Sequence, residues 1–298
     1  MKIFGHCRFS YFGLTDTGRA IRTLEDAERL LWNPTRMAVR FHLFEQVLLP
    51  SIRHQTDPDF TFVVITSNEM PAPYRERLAD LTADVPSVRV LATSDTDLGG
   101  VLKPVVAEAS LGHTAPAVHF RMDDDDAVCA SYVERLRAAA RRIDPGGMIS
   151  FSGGVLGFLD GAVARHCAHI HPYVAIGLAV VNEPMSRMHP YRMRHARHAN
   201  VVPSYMDPTF TAFHYTLHST NNTSGYEQTI QTAGDRTPRI TRSVDGNPEL
   251  AAGGVTTPDA ERRIAEAFPF TTGAALRTAI EDTARPFELA ERLDLPRP

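Results

Sequence analysis

The chain has 298 residues, of which 43% are hydrophobic and 22% charged, and these ordinary proportions exclude a disordered protein. A formal net charge of −4 gives no positive field for a polyanion, so we expect no nucleic-acid partner. Cys7, Cys129 and Cys167 are too few and too far apart for a disulfide framework or a zinc site, which favours a reducing compartment.

No part of the sequence has the apolar run that a secretory or membrane segment needs. Arg8 and several polar residues interrupt the first residues, where a signal peptide would be continuously apolar. No stretch reaches the ~18 apolar residues of a membrane span. We therefore expect a cytoplasmic protein without a membrane span.

The first half of the chain alternates between strand-like and helix-like segments. Strands are predicted at residues 2–4, 61–66, 88–92 and 117–121. Helices are predicted after Asn33 and at 71–81, 102–111 and 131–143, the last opened by a capping box of Ser131 and Glu134. Such alternation implies an α/β fold with a mostly parallel, doubly wound sheet, in which ligands bind beyond the carboxyl ends of the strands.

The second half has a different pattern. Strand-like pieces at 148–152, 155–159, 173–181 and 210–218 have no long helix between them, which predicts mixed or antiparallel additions to the sheet. Residues 187–198, rich in Arg and His, and residues 237–257 are predicted to be loops. Helices at 258–268 and 274–283 would form a small C-terminal appendage, so we divide the chain into a catalytic domain, 1–235, and an appendage, 236–298.

Four consecutive carboxylates, Asp123, Asp124, Asp125 and Asp126, follow a predicted strand and precede a predicted helix. Like charges so close together repel each other, and a cation offsets them most easily. In an extended segment Asp123 and Asp125 would point to one side and could share an ion. Hard oxygen ligands favour Mg²⁺ or Mn²⁺, whereas a solvated acidic loop is the alternative interpretation.

Three motifs, taken in order, are similar to those of a known family. LLPSIRHQTDPDF, HFRMDDDDAV and HYTLHSTNNTSG resemble the putative rhamnosyltransferase family of bacterial glycosyltransferases, over roughly residues 1–230. The resemblance implies a GT-A type fold with an Asp-x-Asp motif and a nucleotide-sugar donor. It also implies a saccharide or another hydroxyl-bearing cell-surface precursor as acceptor. Ser219 and Thr220 stand where this family would have Gly after the histidine.

The resemblance implies a metal site at the tetrad, defined as residues 123–126. Asp123, Asp125 and Asp126 are its candidate carboxylate ligands, and a bound Mn²⁺ or Mg²⁺ would stabilise the departing diphosphate. His218 is the candidate ligand that is not a carboxylate. Residues 211–218 alternate like a strand, which would place His218 at the strand end, in an exposed loop. An ordinary hydrogen-bonded histidine is the alternative, and His214 is a weaker candidate.

Other residues are candidates for contact with the nucleotide. Arg8 and Ser67 follow predicted strands, and Asp124 and Arg121 belong to the tetrad motif. Arg121 would pair with the tetrad or contact the pyrophosphate. Ordinary exposed polar residues are the alternative for Arg8 and Ser67, and a solvated surface loop is the alternative to a cationic patch at 187–198.

An inverting transferase also needs a base for the acceptor hydroxyl. Asp207 is the first candidate, followed by Glu183 and His195, although an Asp-Pro pair also starts ordinary turns.

Two other functions remain open. A metal-dependent nucleotidyltransferase or phosphohydrolase would share the fold class but usually has a Gly-rich phosphate loop, and a non-catalytic carbohydrate-binding module would use the tetrad for a structural cation.

Overall fold

The computed structural model describes residues 1–14, 21–109, 111, 115–184, 186, 188–193, 195–218, 220 and 258–295. Within these residues the strands form two sheets. In chain order the strands are β1 (Ile3–Arg8), β2 (Thr61–Ser67), β3 (Val88–Thr93), β4 (Ala117–Met122), β5 (Ala127–Val128), β6 (Met148–Phe151), β7 (Gly153–Asp160), β8 (Val163–Ile170), β9 (Ala179–Asn182), β10 (Ser204–Asp207) and β11 (Phe213–Leu217).

The larger sheet has the order β10-β6-β9-β4-β1-β2-β3 in the described part of the chain. Only β9 runs against its neighbours there, pairing antiparallel with β4 and β6, whereas the adjoining pairs are parallel. The smaller sheet has the order β5-β11-β7-β8 and mixed directions. The predicted α/β class, with a mostly parallel sheet and mixed additions, is confirmed.

The helices cover the larger sheet and close the C-terminal end. They are α1 (Leu24–Asp26), α2 (Pro34–Leu43), α3 (Leu49–Arg53), α4 (Ala72–Thr82), α5 (Leu98–Ala109), α6 (Tyr132–Ala140), α7 (Ala196–Ala199), α8 (Pro258–Ala267), α9 (Gly273–Asp282) and α10 (Pro286–Arg292). π-helical turns extend α1 over Ala27–Leu31 and join α2 to α3 over Phe44–Leu48. Among the described helices, none is long and apolar enough to cross a membrane.

The helix α2 begins where the sequence predicted it and brings the main core together. Asn33 caps it by accepting the Thr35 N–H at 3.1 Å, and Pro34 occupies the first turn, where a missing N–H is harmless. The predicted apolar stripe is buried, and Phe41 packs on Phe9 with ring centroids 4.8 Å apart. Burial of one such ring stabilises the fold by roughly 1.5–3 kcal/mol.

Some local predictions are wrong. Ser131 does not cap α6, because its hydroxyl instead accepts from Arg135 Nε at 3.0 Å, while Glu134 accepts from Thr56 at 2.9 Å. The strand predicted at 173–181 is reduced to β9, and β8, β10 and α10 were not predicted. The segment 187–198 includes a 3-10 turn, Pro190–Arg192, and α7 rather than loop alone.

The C-terminal helices pack against the rest of the fold. α8 and α9 contact β7 and β8 of the smaller sheet, and α10 contacts α2. His42 of α2 lies 3.5 Å from Asp282 at the end of α9. The predicted appendage is therefore in contact with the smaller sheet and with α2, whereas the predicted boundary at 235/236 and the loop at 237–257 lie outside the described residues.

We predict that acid destabilises the fold through a buried histidine pair on β1 and β4. His6 Nε2 and His119 Nδ1 lie 3.0 Å apart. Burial, and to a lesser degree His189, lowers the pKa of His119 to about 3. The unfolded chain binds a proton near pH 6.5, but the folded protein does not, so stability falls as the pH decreases below 6.5.

Urea unfolding of the wild type between pH 7 and pH 5 should therefore show a falling free energy of unfolding. Each such histidine contributes up to about 1.4 kcal/mol per pH unit. The variant His119→Phe should reduce this pH slope, whereas His54→Phe, which keeps an exposed ring on Phe270, should retain it. Equal slopes in all three proteins would contradict the assignment.

Candidate functional site

The carboxyl ends of β1 and β4 form the switch point of the larger sheet. These strands pair in parallel, with His6 opposite Arg121. The chain runs from β1 outward to β2 and β3, then returns to β4 on the other side of β1. A crevice opens at such a point because the connections leave the two strands in opposite directions. Arg8, the last residue of β1, and the tetrad after β4 meet there.

Asp123 is the most exposed carboxylate of the tetrad, with 34% of its side chain accessible. Its Oδ1 accepts from Arg8 Nη2 at 3.4 Å and from Arg121 Nη2 at 3.3 Å. Both guanidinium groups also lie over the ring of Tyr191, 4.5 and 4.8 Å from its centroid. The Tyr191 hydroxyl donates to the His6 carbonyl at 2.7 Å. Tyr191 therefore holds both arginines at the mouth of the crevice.

Arg40 of α2 occupies the inner side of the tetrad. Its Nη1 donates to Asp124 Oδ1 at 2.6 Å and to Asp125 Oδ2 at 2.8 Å, and the three side chains are almost fully buried. Its Nη2 donates to the Thr220 carbonyl at 2.6 Å. A single guanidinium thus joins α2, the tetrad and the segment after β11.

His218 follows β11 directly and contacts the tetrad across 93 residues of sequence. Its Nε2 lies 2.8 Å from Asp125 Oδ2, and its Nδ1 accepts the Thr220 N–H at 3.3 Å. Since Nδ1 accepts, Nε2 carries the ring proton and donates to Asp125. The expectation of an exposed loop histidine is wrong, because the side chain is fully buried. Its role as a metal ligand stays a prediction.

Asp126 faces the smaller sheet. Its Oδ1 accepts the backbone N–H of Thr216 in β11 at 2.8 Å. Burial, and then the charge of Asp125, raises the pKa of the Asp126 carboxyl well above its usual range. The role of Asp126 as a metal ligand stays a prediction.

For the other three carboxyl groups of the tetrad, the direction of the pKa shift has two different causes. Burial determines it for one group, and neighbouring arginines determine it for the other two. Burial raises the pKa of Asp124 to about 6, because Arg40 offsets the loss of solvent only in part. Burial also opposes the charge on Asp125, but Arg40 and His218 more than offset it and lower the pKa. For Asp123, Arg121 and Arg8 likewise outweigh burial. Asp123 and Asp125 therefore stay charged to a lower pH than Asp124.

The predicted extended geometry of the tetrad is wrong. Residues 124 and 125 form a turn, so the side chains do not alternate as they would in a strand. Asp124 and Asp125, which the extended model put on opposite sides, both contact Arg40. The predicted nucleotide contact of Asp124 is therefore not supported, because its carboxylate faces the protein interior.

The described residues contain no group of three or more His, Cys, Asp or Glu side chains arranged to hold a metal ion. Asp123 and Asp125 nevertheless offer charged oxygens, which are the donors that hard cations prefer. Mg²⁺ is commonly held by one or two carboxylates together with water and substrate phosphates. The donor set fits a cation of that kind, which the nucleotide would complete, and the predicted cofactor stays a prediction.

Ser67 is the last residue of β2 rather than a residue of the following loop. Its hydroxyl is buried and accepts the Phe12 N–H at 2.8 Å. This bond fixes the loop after β1, next to Arg8. The predicted nucleotide contact of Ser67 is not supported, since the hydroxyl is used within the protein.

The candidate bases lie at opposite edges of the larger sheet. Asp207 ends β10, which runs parallel to β4 three strands away, roughly 14 Å at the usual strand spacing. Its Oδ1 accepts from the Thr209 N–H at 2.8 Å, as in an ordinary turn. Glu183 follows the antiparallel β9, where Asn182 pairs with Ala117 at the start of β4. Glu183 thus lies at the far edge, and its proposed role as a base is wrong.

The residues from 187 to 198 are only partly described. Arg187 and Arg194 lie outside the described residues, and Arg192 and Arg197 are exposed. His195 is also exposed, and its Nδ1 lies 3.2 Å from the Tyr173 carbonyl. None of these positions tests the predicted contact with a diphosphate.

The sequence interpretation missed Arg40 and Tyr191. Arg40 carried a signal, since Arg36 and Arg40 lie four residues apart within the apolar stripe of α2, and a charged residue on a buried helical face needs a buried partner. Tyr191 carried none, because its role depends on Arg8 and Arg121, which come from two distant strands.

A family model described as putative rhamnosyl transferase matches residues 2–229. No curated protein matches the sequence. The crystal structure of S. aureus TarS 1-349 in complex with UDP matches with a TM-score of 0.37 and 11% identity, over 99% of this chain and 92% of that chain. TarS 1-349 without UDP gives the same values.

The apo form of mouse Xyloside xylosyltransferase 1 matches with a TM-score of 0.26 and 12% identity, over 51% of this chain and 53% of that chain. Structural likeness at these TM-scores does not bear on function. The match to the family model, which spans most of the chain, does.

We predict that Arg40→Met strongly destabilises the protein. Methionine has a similar volume but leaves Asp124 and Asp125 buried without a cation, which typically destabilises a fold by about 3–5 kcal/mol. Arg53→Met, which removes an exposed pair with Asp84, should change stability by less than about 1 kcal/mol. The free energies of unfolding in urea would test both. Equal losses in the two variants would contradict the central role of Arg40.

Proposed function

We propose, on the premise that this chain belongs to the putative rhamnosyl transferase family, that it moves rhamnose or another hexose from a nucleoside diphosphate donor to a hydroxyl group of a saccharide or cell-surface precursor. Membership of this family identifies the protein as a glycosyltransferase. The donor, the acceptor and the cation are our proposal. The observation that carries it is the convergence of Arg8 and Arg121 on the single, partly exposed carboxylate of Asp123.

Two guanidinium groups flank one carboxylate at the mouth of the crevice. Arginine presents several N–H donors in a plane and binds phosphate oxygens in pairs. Arg8 is the last residue of β1 and Arg121 the last but one of the neighbouring parallel strand β4, so both would face a ligand at the switch point. This supports binding of the donor diphosphate between the two arginines, with Tyr191 keeping their planes in place.

Asp123 and Asp125 are the proposed protein ligands of Mn²⁺ or Mg²⁺, and His218 is the neighbouring candidate. When bound, the cation would stabilise negative charge on the departing diphosphate. The protein residues have separate tasks. Arg40 keeps Asp125 ionised and oriented. Arg8 and Arg121 would stabilise the negative charge that develops on the phosphate oxygens.

Bond breaking leaves positive charge on the sugar ring, and the acceptor hydroxyl must lose its proton as it attacks. Asp207 is the proposed base. It lies at the same edge of the sheet as the tetrad, and an acceptor sugar would fill the space between them. The hydrogen bonds from Thr209 lower the pKa of the Asp207 carboxyl although partial burial opposes them, so the group is ionised at neutral pH.

Release of nucleoside diphosphate is the direct test of the proposal. The purified protein would be incubated with a panel of nucleotide sugars in the presence of Mn²⁺ or Mg²⁺. Release that needs a sugar nucleotide and increases with a saccharide acceptor supports the transferase. Release of inorganic phosphate, or binding without turnover across the panel, would contradict it.

We predict that Asp123→Asn weakens Mn²⁺-dependent binding of nucleoside diphosphate by about tenfold or more, because one charged oxygen ligand is lost. The variant should fold, since Asp123 lies at the mouth of the crevice and not in the core. Calorimetric titration with nucleoside diphosphate, with and without Mn²⁺, measures the effect. Asp84→Asn, at an exposed pair with Arg53, is the matched control and should bind normally. Normal binding by Asp123→Asn would reject its role as a ligand.

We predict that Asp207→Asn lowers kcat by about 100-fold or more with little change in the KM for the donor, as expected for the loss of a general base. Thr209→Val removes the hydroxyl that bonds Asp207 but keeps the carboxylate, so it should retain most of the activity. Steady-state kinetics with saturating acceptor compares the two. A normal kcat in Asp207→Asn would exclude this residue as the base.

A further inference from the structure

A chain of hydrogen bonds, buried except at its Glu261 end, connects the C-terminal helices to the tetrad. Asp126 accepts the N–H of Thr216, and the Thr216 hydroxyl lies 3.3 Å from His214 Nδ1. His214 Nε2 lies 3.2 Å from His166 Nε2. His166 Nδ1 lies 3.3 Å from Oε1 of Glu261 in α8. This Thr216–Glu261 chain therefore begins on a helix beyond residue 229, where the family match ends.

The surrounding packing leaves these side chains little freedom. A Cβ atom on Gly157 would lie 2.7 Å from His214 Nε2, and one on Gly273 would overlap the Glu261 carboxylate. Arg277 of α9 pairs with Oε1 of that carboxylate, the same oxygen that faces His166 Nδ1. The two glycines thus leave the space in which His214 and Glu261 meet their partners, which is typical of a closely fitted polar network.

Which atom donates in each hydrogen bond of the Thr216–Glu261 chain follows from the charge states of the two histidines and from the carboxylate at its end. Burial, and then Arg277, lowers the pKa of His166 to about 3, and burial together with His166 lowers that of His214 well below its usual value. Each ring is therefore neutral at pH 7, with one N–H and one acceptor nitrogen.

A carboxylate only accepts hydrogen bonds. His166 consequently donates from Nδ1 to Glu261 and accepts at Nε2. His214 donates from Nε2 to His166 and accepts at Nδ1. The Thr216 hydroxyl is then the group that donates to His214 Nδ1.

We propose that Glu261 is a positioning residue of the transferase site, because its carboxylate sets the direction of the hydrogen bonds that orient Thr216. β11 carries Thr216, whose N–H holds Asp126, and ends just before His218, which holds Asp125. The orientation of this strand end therefore decides where two tetrad carboxylates lie. The inference rests on the proposed function for the reaction that is positioned, but the tautomers it assigns do not depend on that function.

Exchanging the two charges, with Glu261→Lys and Arg277→Glu in one protein, tests the direction and keeps an ion pair between α8 and α9. In this charge-exchange variant the ammonium group at position 261 only donates hydrogen bonds, so it faces His166 Nδ1 as a donor. The whole series then reverses: His166 donates from Nε2, and His214 donates from Nδ1 to the Thr216 oxygen. Nitrogen-15 NMR of histidine-labelled full-length protein distinguishes the two tautomers of each ring, and spectra of His166→Phe and His214→Phe assign the signals.

We expect the wild type to contain the Nδ1–H form of His166 and the Nε2–H form of His214, and the charge-exchange variant to contain the reversed forms. We also expect kcat to fall by about tenfold with a donor KM that changes less than twofold, as when a group that orients a ligand residue is altered. Glu266→Gln lies on the same helix and alters only an exposed pair with Arg262, so it should leave the tautomers and kcat unchanged.

Two results would overturn the inference: unchanged tautomers in the charge-exchange variant, or reversed tautomers with a normal kcat. A lower kcat that accompanies a lower melting temperature with wild-type tautomers would assign Glu261 a purely structural role and would also overturn it. If the wild type transfers no sugar from any donor, the proposed function fails. In that case the tautomers still report whether Glu261 directs the chain.

Discussion

Arg40 holds two carboxylates that neighbour each other in a single turn, and the rest of the site depends on this contact. Without a buried cation, Asp124 and Asp125 would repel each other in a region from which water is excluded. The apolar stripe of α2 packs on the sheet and brings the arginine inward from a helix that begins 89 residues before Asp123. The same guanidinium also binds the Thr220 carbonyl, so it fixes the end of β11 as well.

The tetrad is therefore divided between an inner and an outer environment. Asp124 and Asp125 face Arg40, Asp126 faces the backbone of β11, and Asp123 faces the crevice. The inner contacts set the turn, and the turn directs Asp123 outward toward Arg8 and Arg121. A cluster of like charges thus yields one carboxylate and two arginines at the surface where α/β sheets bind their ligands.

The smaller sheet and the C-terminal helices support this arrangement from behind. β11 delivers the Thr216 N–H and His218 to the tetrad, and the polar side chains behind it lead to Glu261 on α8. α8 and α9 lie beyond the family match, yet they pack on β7 and β8, next to β11. The helices that the sequence presented as an appendage are in physical contact with the part of the fold that shapes the site.

The sequence by itself determined the elements with a strong local period and the ends of the strands. β2, β4, α4 and α9 lie close to their predicted bounds, because burial on one or both faces leaves a regular pattern of apolar residues. The same pattern placed the tetrad at the carboxyl end of a strand and His218 at the end of another. These are local properties, which a single segment carries without its partners.

Tertiary structure alone decided which groups meet and in which direction. The turn at residues 124 and 125 is set by Arg40, 84 residues away from Asp124. Glu183 lies at the wrong edge because β9 runs antiparallel to β4, and strand direction is a property of pairing and not of local sequence. Ser131 is no cap because Arg135 takes its hydroxyl. A local pattern specifies the face on which a side chain lies, but the partner on that face comes from a distant segment whose position depends on the packing of the whole chain.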